Sequence, residues 1–256
     1  MRRSISYLVS DLGTRKAVNQ DSCYVKADEG SAFAAVCDGV GSCRHSEISS
    51  AMAVKLFALW YENCLAELDG VRGEELENII YNKWHMMFEG LNNMLIGLTP
   101  CFESKMGSTL SCLLLLDGRY YVLHIGDTRI YRIGSGVDLL TEDHTVTGRE
   151  IRLGRMTEEA AKPDRKRHVL TKCLGIKEDM TPDFYSGDIQ PGDKFLLCSD
   201  GFRDKLSDDD ILRAYRGGRH MTVWGLERAT KALLRRVRRE GETDNITAVI
   251  VEYGGK

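Results

Sequence analysis

Proline is scarce in this chain, with four in 256 residues, and no Pro-rich or Ser/Gly-rich stretch divides it. No linker between separately folded units is therefore expected, and residues 1–256 read as one domain. Long apolar runs are missing as well. The longest aliphatic run, Leu113 to Leu116, is far too short to span a membrane. The basic start Met1-Arg2-Arg3-Ser4 is followed by no apolar stretch, so no export signal is read. Eight cysteines are present, but no Cys-x-x-Cys pair. In a chain of this length without a leader, that favours reduced thiols and a cytoplasmic protein. Cys37, Cys112 and Cys198 lie within apolar patterns, where free cysteine packs as a small hydrophobe. An excess of positive charge is absent too. The net charge of -3 offers no general affinity for nucleic acid. No internal repeat is visible.

What is present is ordinary for a globular domain: 43% hydrophobic and 29% charged residues. Short strand-like runs cover Ile5 onward, Ala32 to Cys37, Ser111 to Leu116, Tyr120 to Ile125, Arg129 to Ile133, Lys194 to Cys198 and Ile246 to Val251. Asp117-Gly118 reads as a hairpin turn. Two helical patterns lie between the third and fourth runs. Ile48, Met52, Leu56 and Leu59 share one face of the first, and Leu76, Ile80, Trp84, Met87 and Leu91 one face of the second. A later helix starts at the Ser207-Asp208-Asp209-Asp210 signal. The last begins near Thr222, faces inward with Leu226, Thr230, Leu233 and Val237, and ends at Gly241. Its Arg235, Arg236, Arg238 and Arg239 read as a solvated face. Strands come in runs and helices in pairs. That pattern argues for an α+β fold, an antiparallel β-sandwich with antiparallel helix pairs packed outside it.

The informative residues are aspartates at the ends of these runs. Ala34-Ala35-Val36-Cys37 leads into Asp38-Gly39, and Phe195-Leu196-Leu197-Cys198-Ser199 leads into Asp200-Gly201. Asp127 follows Ile125-Gly126, Asp244 precedes the last strand, and Asp21 opens the second. Carboxylates at strand ends can converge at one sheet edge, where they repel unless a cation lies between them. All-oxygen donors suit Mg²⁺ or Mn²⁺ rather than Zn²⁺. His124 and His144 lack metal-ligand spacing and read as structural. Two divalent ions among four carboxylates would leave a site able to take a phosphate dianion, with Arg15 and Lys16 as its basic partners.

Other phosphate chemistries fail on spacing. From Cys37 to Arg44, six residues intervene where a cysteine-based phosphate loop needs five. Arg44 stands where a dinucleotide loop needs its third glycine, and no Walker-type loop is present. A two-metal nuclease is disfavoured by the charge and by the lack of a basic groove.

These segments match a known family in order. GTRKAVNQD (Gly13 to Asp21), VCDGVGS (Val36 to Ser42), GSTLSCLLL (Gly107 to Leu115), IGDTRIY (Ile125 to Tyr131) and LTEDHT (Leu140 to Thr145) come first. LTKCLG (Leu170 to Gly175), LLCSDGF (Leu196 to Phe202) and TDNITAVIV (Thr243 to Val251) follow. The chain resembles the metal-dependent protein phosphatases of the 2C type, in their short bacterial form. The resemblance implies hydrolysis of phosphoserine and phosphothreonine in proteins, by one-step in-line attack of a metal-bridged hydroxide. It implies Mn²⁺ or Mg²⁺ in two main sites and a third, weaker one. Asp38 would bridge the main pair, with the Gly39 carbonyl beside it. Asp200 and Asp244 would complete the first site, and Asp127 with Asp200 would hold the third ion. Asp21 would orient the attacking water. Residues 143–168 would form a flap beside the site. The partners implied are phosphorylated proteins and a cognate serine/threonine kinase, with a monomer as the acting form. The alternative is a catalytically weak phosphoprotein-binding module of the same fold. Three departures stand out. Lys16 occupies the position of the family's usual arginine, with Arg15 next to it, so phosphate binding is assigned to both, Lys16 first. Gln20 replaces a common glutamate. Val40 and Ser42 leave no histidine after the central Asp-Gly, so the general acid is unassigned.

Overall fold

Every residue of strand β10 (Ile246–Glu252) is buried, because its two faces meet two different layers. Ile246, Ala248 and Ile250 point to a cluster under helices, while Val249 and Val251 point to a cluster between sheets. This alternation is the period of two that a pleated strand imposes. β3 (Ser31–Asp38) does the same: Phe33, Ala35 and Cys37 face helices, and Ala32, Ala34 and Val36 face the opposite sheet. Fully buried strands of this kind read as continuous apolar runs.

The computed structural model describes residues 3–217 and 220–255. β1 (Ile5–Asp11), β10, β9 (Lys194–Cys198), β6 (Arg129–Ile133) and β7 (Val137–Leu139) form one sheet in that order. β2 (Asp21–Ala27), β3, β4 (Leu110–Leu116), β5 (Arg119–Ile125) and β8 (Asp183–Asp188) form the other. The neighbours in both sheets pair antiparallel. Helices α1 (Ser46–Cys64) and α2 (Gly73–Phe102) cover the second sheet, where Trp84 meets Phe33 and Trp60 edge-on at 6.2 and 5.5 Å. Helices α6 (Asp208–Tyr215) and α7 (Val223–Arg239) cover the first with Ile211, Tyr215, Leu226, Leu233 and Val237. The result is the expected α+β sandwich flanked by helix pairs. Between β7 and β8 the chain makes an excursion carrying α3 (Val146–Arg152) and α4 (Glu158–Ala161), and α5 (Asp200–Arg203) follows β9.

Local signals hold closely. Asp117 and Gly118 both have positive φ, 52° and 78°, as a two-residue hairpin turn requires. Ser207 and Asp210 form a reciprocal capping box. The face of α1 differs from the periodicity reading. Its buried face is Ser46, Ser49, Ser50, Ala53, Val54, Phe57, Trp60 and Tyr61, and Leu59 is 45% exposed. The reason is polar: Ser50 Oγ donates to the Gln20 carbonyl at 2.7 Å and Ser49 Oγ to the Ser46 carbonyl at 2.8 Å. Serines bonded in this way can be buried, and they turn the helix away from its most hydropathic side. β7, α3 and β8 gave no sequence signal. β7 has three residues, α3 contains Gly148, and β8 is a partly polar edge strand.

All eight cysteines are free thiols. Burial pushes Cys37 and Cys112 well above the usual thiol range and Cys198 up to about 12. A thiol reagent should therefore count eight groups after denaturation without reductant. In the native protein the exposed Cys101 should react first, and Cys37, Cys112 and Cys198 should stay silent. A denatured count lower by two would show a disulfide.

Candidate active site

Antiparallel register brings the strand-end acids to one end of the sandwich. Asp21 opens β2 directly opposite Asp38, which closes β3. Cys198, at the end of β9, pairs with both Arg129 and Ala248. Asp200, Asp127 and Asp244, each one or two residues beyond those strands, consequently share that end. Backbone bonds fix the central acid. The Asp38 N–H donates to Thr109 Oγ1 at 2.8 Å, and its carbonyl accepts from the Thr109 N–H at 2.8 Å and Ser108 Oγ at 3.1 Å.

Two glycines let the segments close. A Cβ on Gly13, whose φ is +69°, would lie 2.0 Å from the Asp244 carbonyl oxygen. One on Gly39 would lie 2.8 Å from the Ser46 carbonyl and 2.9 Å from that of Gln20. Both positions need the missing side chain for close approach.

The acids line an open cleft of about 320 Å³ with Asp38, Gly39, Asp127, Asp200 and Asp244 in its wall, together with Arg15 and Lys16. Asp21 lies behind Asp38, buried, and neither of its oxygens has a hydrogen-bond partner among the described residues. Burial pushes Asp21 up to about 6, against the pull of the nearby Thr247 hydroxyl. Burial, and then the charges of Asp21, Asp200, Asp127 and Asp244, drive Asp38 far above the carboxylate range. A wall whose anionic donors are all carboxylate oxygens, with an orphaned carboxylate behind it, fits hard divalent cations.

One functional residue escaped the sequence reading. His168, at the end of the excursion, places Nδ1 3.0 Å from Asp200 and 4.0 Å from Asp127, and Nε2 3.2 Å from Asp204. Hydrogen bonds to Asp127, Asp200 and Asp204 raise it to about 11, while Nε2 also accepts from Arg167 Nε at 2.7 Å. Asp127, His168 and Asp200 lie close enough to hold a metal ion together once the ring gives up its Nδ1 proton. Nothing in the spacing of His168 to the acids announces this, because the contact closes across the fold. Burial opposes ionisation of Asp200, but the His168 hydrogen bond and the Arg203 charge hold it at about 2.

The other end of the excursion is also anchored. Asp143 takes two 2.8 Å bonds from Arg129, and Arg203 donates to Asp143 at 3.3 Å and to the Asp127 carbonyl at 3.2 Å. His144 Nδ1 accepts from the Gly126 N–H at 3.1 Å, which leaves Nε2 to donate to Asp183 at 2.9 Å. His124 and His144 stack at 5.0 Å and support the Asp127 turn.

The two basic candidates differ in surroundings. Lys16 Nζ donates to Gln20 Oε1 at 2.6 Å and lies 3.3 Å from Asp244. Arg15 is exposed at the cleft and has no ion pair among the described residues. Arg44 is exposed and outside the cleft wall.

Known proteins resemble the chain along its whole length. The family model described as protein phosphatase 2C matches residues 13–248. The protein phosphatase PhpP of Streptococcus pneumoniae is 29% identical over 253 residues, covering 95% of each chain. The serine/threonine phosphatase PstP of Mycobacterium tuberculosis superposes with a TM-score of 0.81 at 25% identity, covering 98% of this chain and 99% of its own. A PstP catalytic domain in complex with two manganese ions has the same fold, with a TM-score of 0.79 at 24% identity and the same coverage.

The electrostatics set a pH dependence for the metal-free protein. Asp21, raised to about 6, and Asp38, raised well above the usual carboxylate range, destabilise the fold when ionised, and the penalty is relieved as pH falls. His168, raised from 6.5 to about 11, contributes stability that is complete only below 6.5. Both effects run the same way. Asp183 and Asp143, held below the usual range, oppose them only in stronger acid. The chelated protein should therefore melt at a higher temperature at about pH 5.5 than at about pH 7.5. Saturating Mn²⁺ should reverse the order, because protons compete for its ligands. A chelated midpoint that falls on acidification would contradict this account.

Proposed function

The chain belongs to the protein phosphatase 2C family and is a metal-dependent serine/threonine protein phosphatase, and we propose that Asp38, Gly39, Asp127, Asp200 and Asp244 hold its cations while Arg15 and Lys16 receive the phosphoryl group. The observation that carries this assignment is the convergence of all five segments on one cleft. Manganese is a metal of the family, and magnesium fits the same donors. We assign two main ions at Asp38, Gly39, Asp200 and Asp244 and a weaker third at Asp127 and Asp200.

When bound, these ions lower the pKa of coordinated water and draw charge from the phosphoryl oxygens. The chain's own residues supply the rest. Asp38, fixed through its backbone by Thr109 and Ser108, holds its carboxylate at the centre of the wall. Asp21 presents unpartnered oxygens from behind and orients the attacking water. Arg15, exposed and unpaired, offers the bidentate fork that suits a phosphate dianion. Lys16 adds a second cation beside Asp244. The cleft is open on one side, so a phosphorylated serine or threonine can enter with its flanking chain outside.

The presence of all five acids disfavours a binding module without turnover. We place the chain as one catalytic domain acting as a monomer on phosphoproteins that a serine/threonine kinase supplies, with no nucleic-acid partner. Eight free thiols support a cytoplasmic setting. Among the described residues no helix is long and apolar enough to cross a membrane.

Chelation should abolish hydrolysis of a phosphothreonine peptide and Mn²⁺ should restore it. Asp38→Asn should remain folded and lose at least about 10²–10³-fold in kcat, the scale of one lost electrostatic contact to a transition state. Activity that survives exhaustive chelation, or near-native kcat in Asp38→Asn, would sink the assignment.

Arg15→Ala and Lys16→Ala should each raise KM for phosphopeptide without loss of Mn²⁺ affinity, the signature of lost ground-state binding. Lys16→Arg should keep or improve affinity. Wild-type kinetics in both alanine variants would move phosphate recognition to another segment, around Arg44.

A further inference from the structure

Helix α7 carries six basic residues against one acid, Glu227, in a chain whose net charge is -3. Its inner face, with Leu226, Leu233 and Val237, is buried on the first sheet. Three of its basic residues are compensated: Arg236 by Asp210 and Glu240, Arg238 by Asp11, and Lys231 by Glu227. Arg228, Arg235 and Arg239 are exposed and have no acidic partner among the described residues. Their spacing places them on one outward stripe, and Trp224, 79% exposed, extends that stripe at its far end. Like charges in this arrangement cost helix stability, and a mixed surface would avoid the cost.

The stripe starts at the catalytic end of the molecule. Arg238 pairs with Asp11, and just beyond that strand end the Arg15 N–H donates to the Thr243 carbonyl at 3.0 Å. From Arg239 to Arg228 the helix rises about 16 Å, at 1.5 Å per residue. About five residues of extended peptide cover that length. Glu242 stands in the cleft wall, while Glu240 is paired with Arg236. Glu242 repels negative charge close to the phosphorylated residue, so the acidic part of a ligand sits beyond it, at the arginines.

We propose that the outward stripe of α7, Trp224, Arg228, Arg235 and Arg239, docks an acidic segment of the phosphoprotein substrate, separated by a short neutral spacer from the phosphorylated serine or threonine. The inference rests on the phosphatase reading above. A lipid surface fits less well, because the apolar face of α7 is already covered and only Val223 and Trp224, at its first turn, are exposed to insert. A nucleic acid fits less well, because its unbroken negative backbone would meet Glu242 at the cleft wall. The stripe acts on encounter and KM, not on chemistry, and weakens with salt.

The test compares two phosphothreonine peptides, one short and neutral, the other carrying in addition a Gly/Ser spacer and a run of glutamates. At low salt the acidic peptide should show about tenfold higher kcat/KM, through KM with kcat unchanged, and the gain should vanish near 0.5 M salt, where charges are screened within a few ångström. The triple variant Arg228→Gln, Arg235→Gln and Arg239→Gln should lose the gain and keep wild-type kinetics on the neutral peptide, which also reports that it is folded. Equal kcat/KM for the two peptides, or a gain that survives in the triple variant, would overturn the proposal. So would arginine-dependent binding to phosphatidylglycerol vesicles or duplex DNA with no peptide gain. Turnover of neither peptide would instead refute the phosphatase reading.

Discussion

Mutual repulsion among buried carboxylates is the constraint on which this structure depends. Asp38 sits behind the lip of a cleft with Asp21 at its back and Asp127, Asp200 and Asp244 around it. Each raises the cost of ionising Asp38. A sequence that places five acids in this way is stable as a folded, ionised protein only with positive charge among them. Lys16 supplies part of that charge near Asp244, and the His168 ring lies against Asp127 and Asp200. The remainder is the work of the cations that define the activity.

The scaffold opposes the repulsion with rigidity. Asp21 and Asp38 are cross-strand neighbours in a sheet whose central strands are buried on both faces. The aromatic cluster of Phe33, Trp60, Tyr61 and Trp84 clamps α1 and α2 onto that sheet. On the other side α7 and α6 hold β9 and β10, and with them Asp200 and Asp244. Polar networks add the fine placement. Arg129 and Arg203 tie Asp143 to the Asp127 loop, and the His124–His144 stack supports the turn before it. The excursion that carries α3 and α4 is thereby attached at both ends to groups beside the cleft.

Much of this was legible before any coordinates. The strands that carry the acids are apolar runs closed by Asp-Gly or similar turns, and the turn chemistry at Asp117-Gly118 and the cap at Ser207 are local properties. The misreadings share a cause. The face of α1 is set by serines whose hydroxyls meet the Gln20 and Ser46 carbonyls, and hydropathy scores a serine as surface. β8 is an edge strand, and edge strands need no apolar pattern. His168 has no ligand-like spacing because its partners are Asp127, before β6, and Asp200 and Asp204, in and just after α5.

By itself the sequence determined most of the element types, the β-sandwich flanked by helix pairs and the set of acids, because periodicity, turn propensity and motif order are written within windows of a few residues. The tertiary structure alone decided which acids face one another, that Asp21 is buried with no hydrogen-bond partner among the described residues, and that Lys16 is engaged by Asp244 while Arg15 has no ion pair among them. It also decided which arginines of α7 are compensated: Asp11 and Asp210 reach Arg238 and Arg236, while no acid among the described residues pairs with Arg228, Arg235 or Arg239, and Arg239 Nε donates only to the Arg235 carbonyl at 3.2 Å. These are facts about pairs separated by tens to hundreds of residues. Coulomb interaction and hydrogen bonding act over a few ångström of space, and only the closed sandwich converts distance along the chain into that proximity.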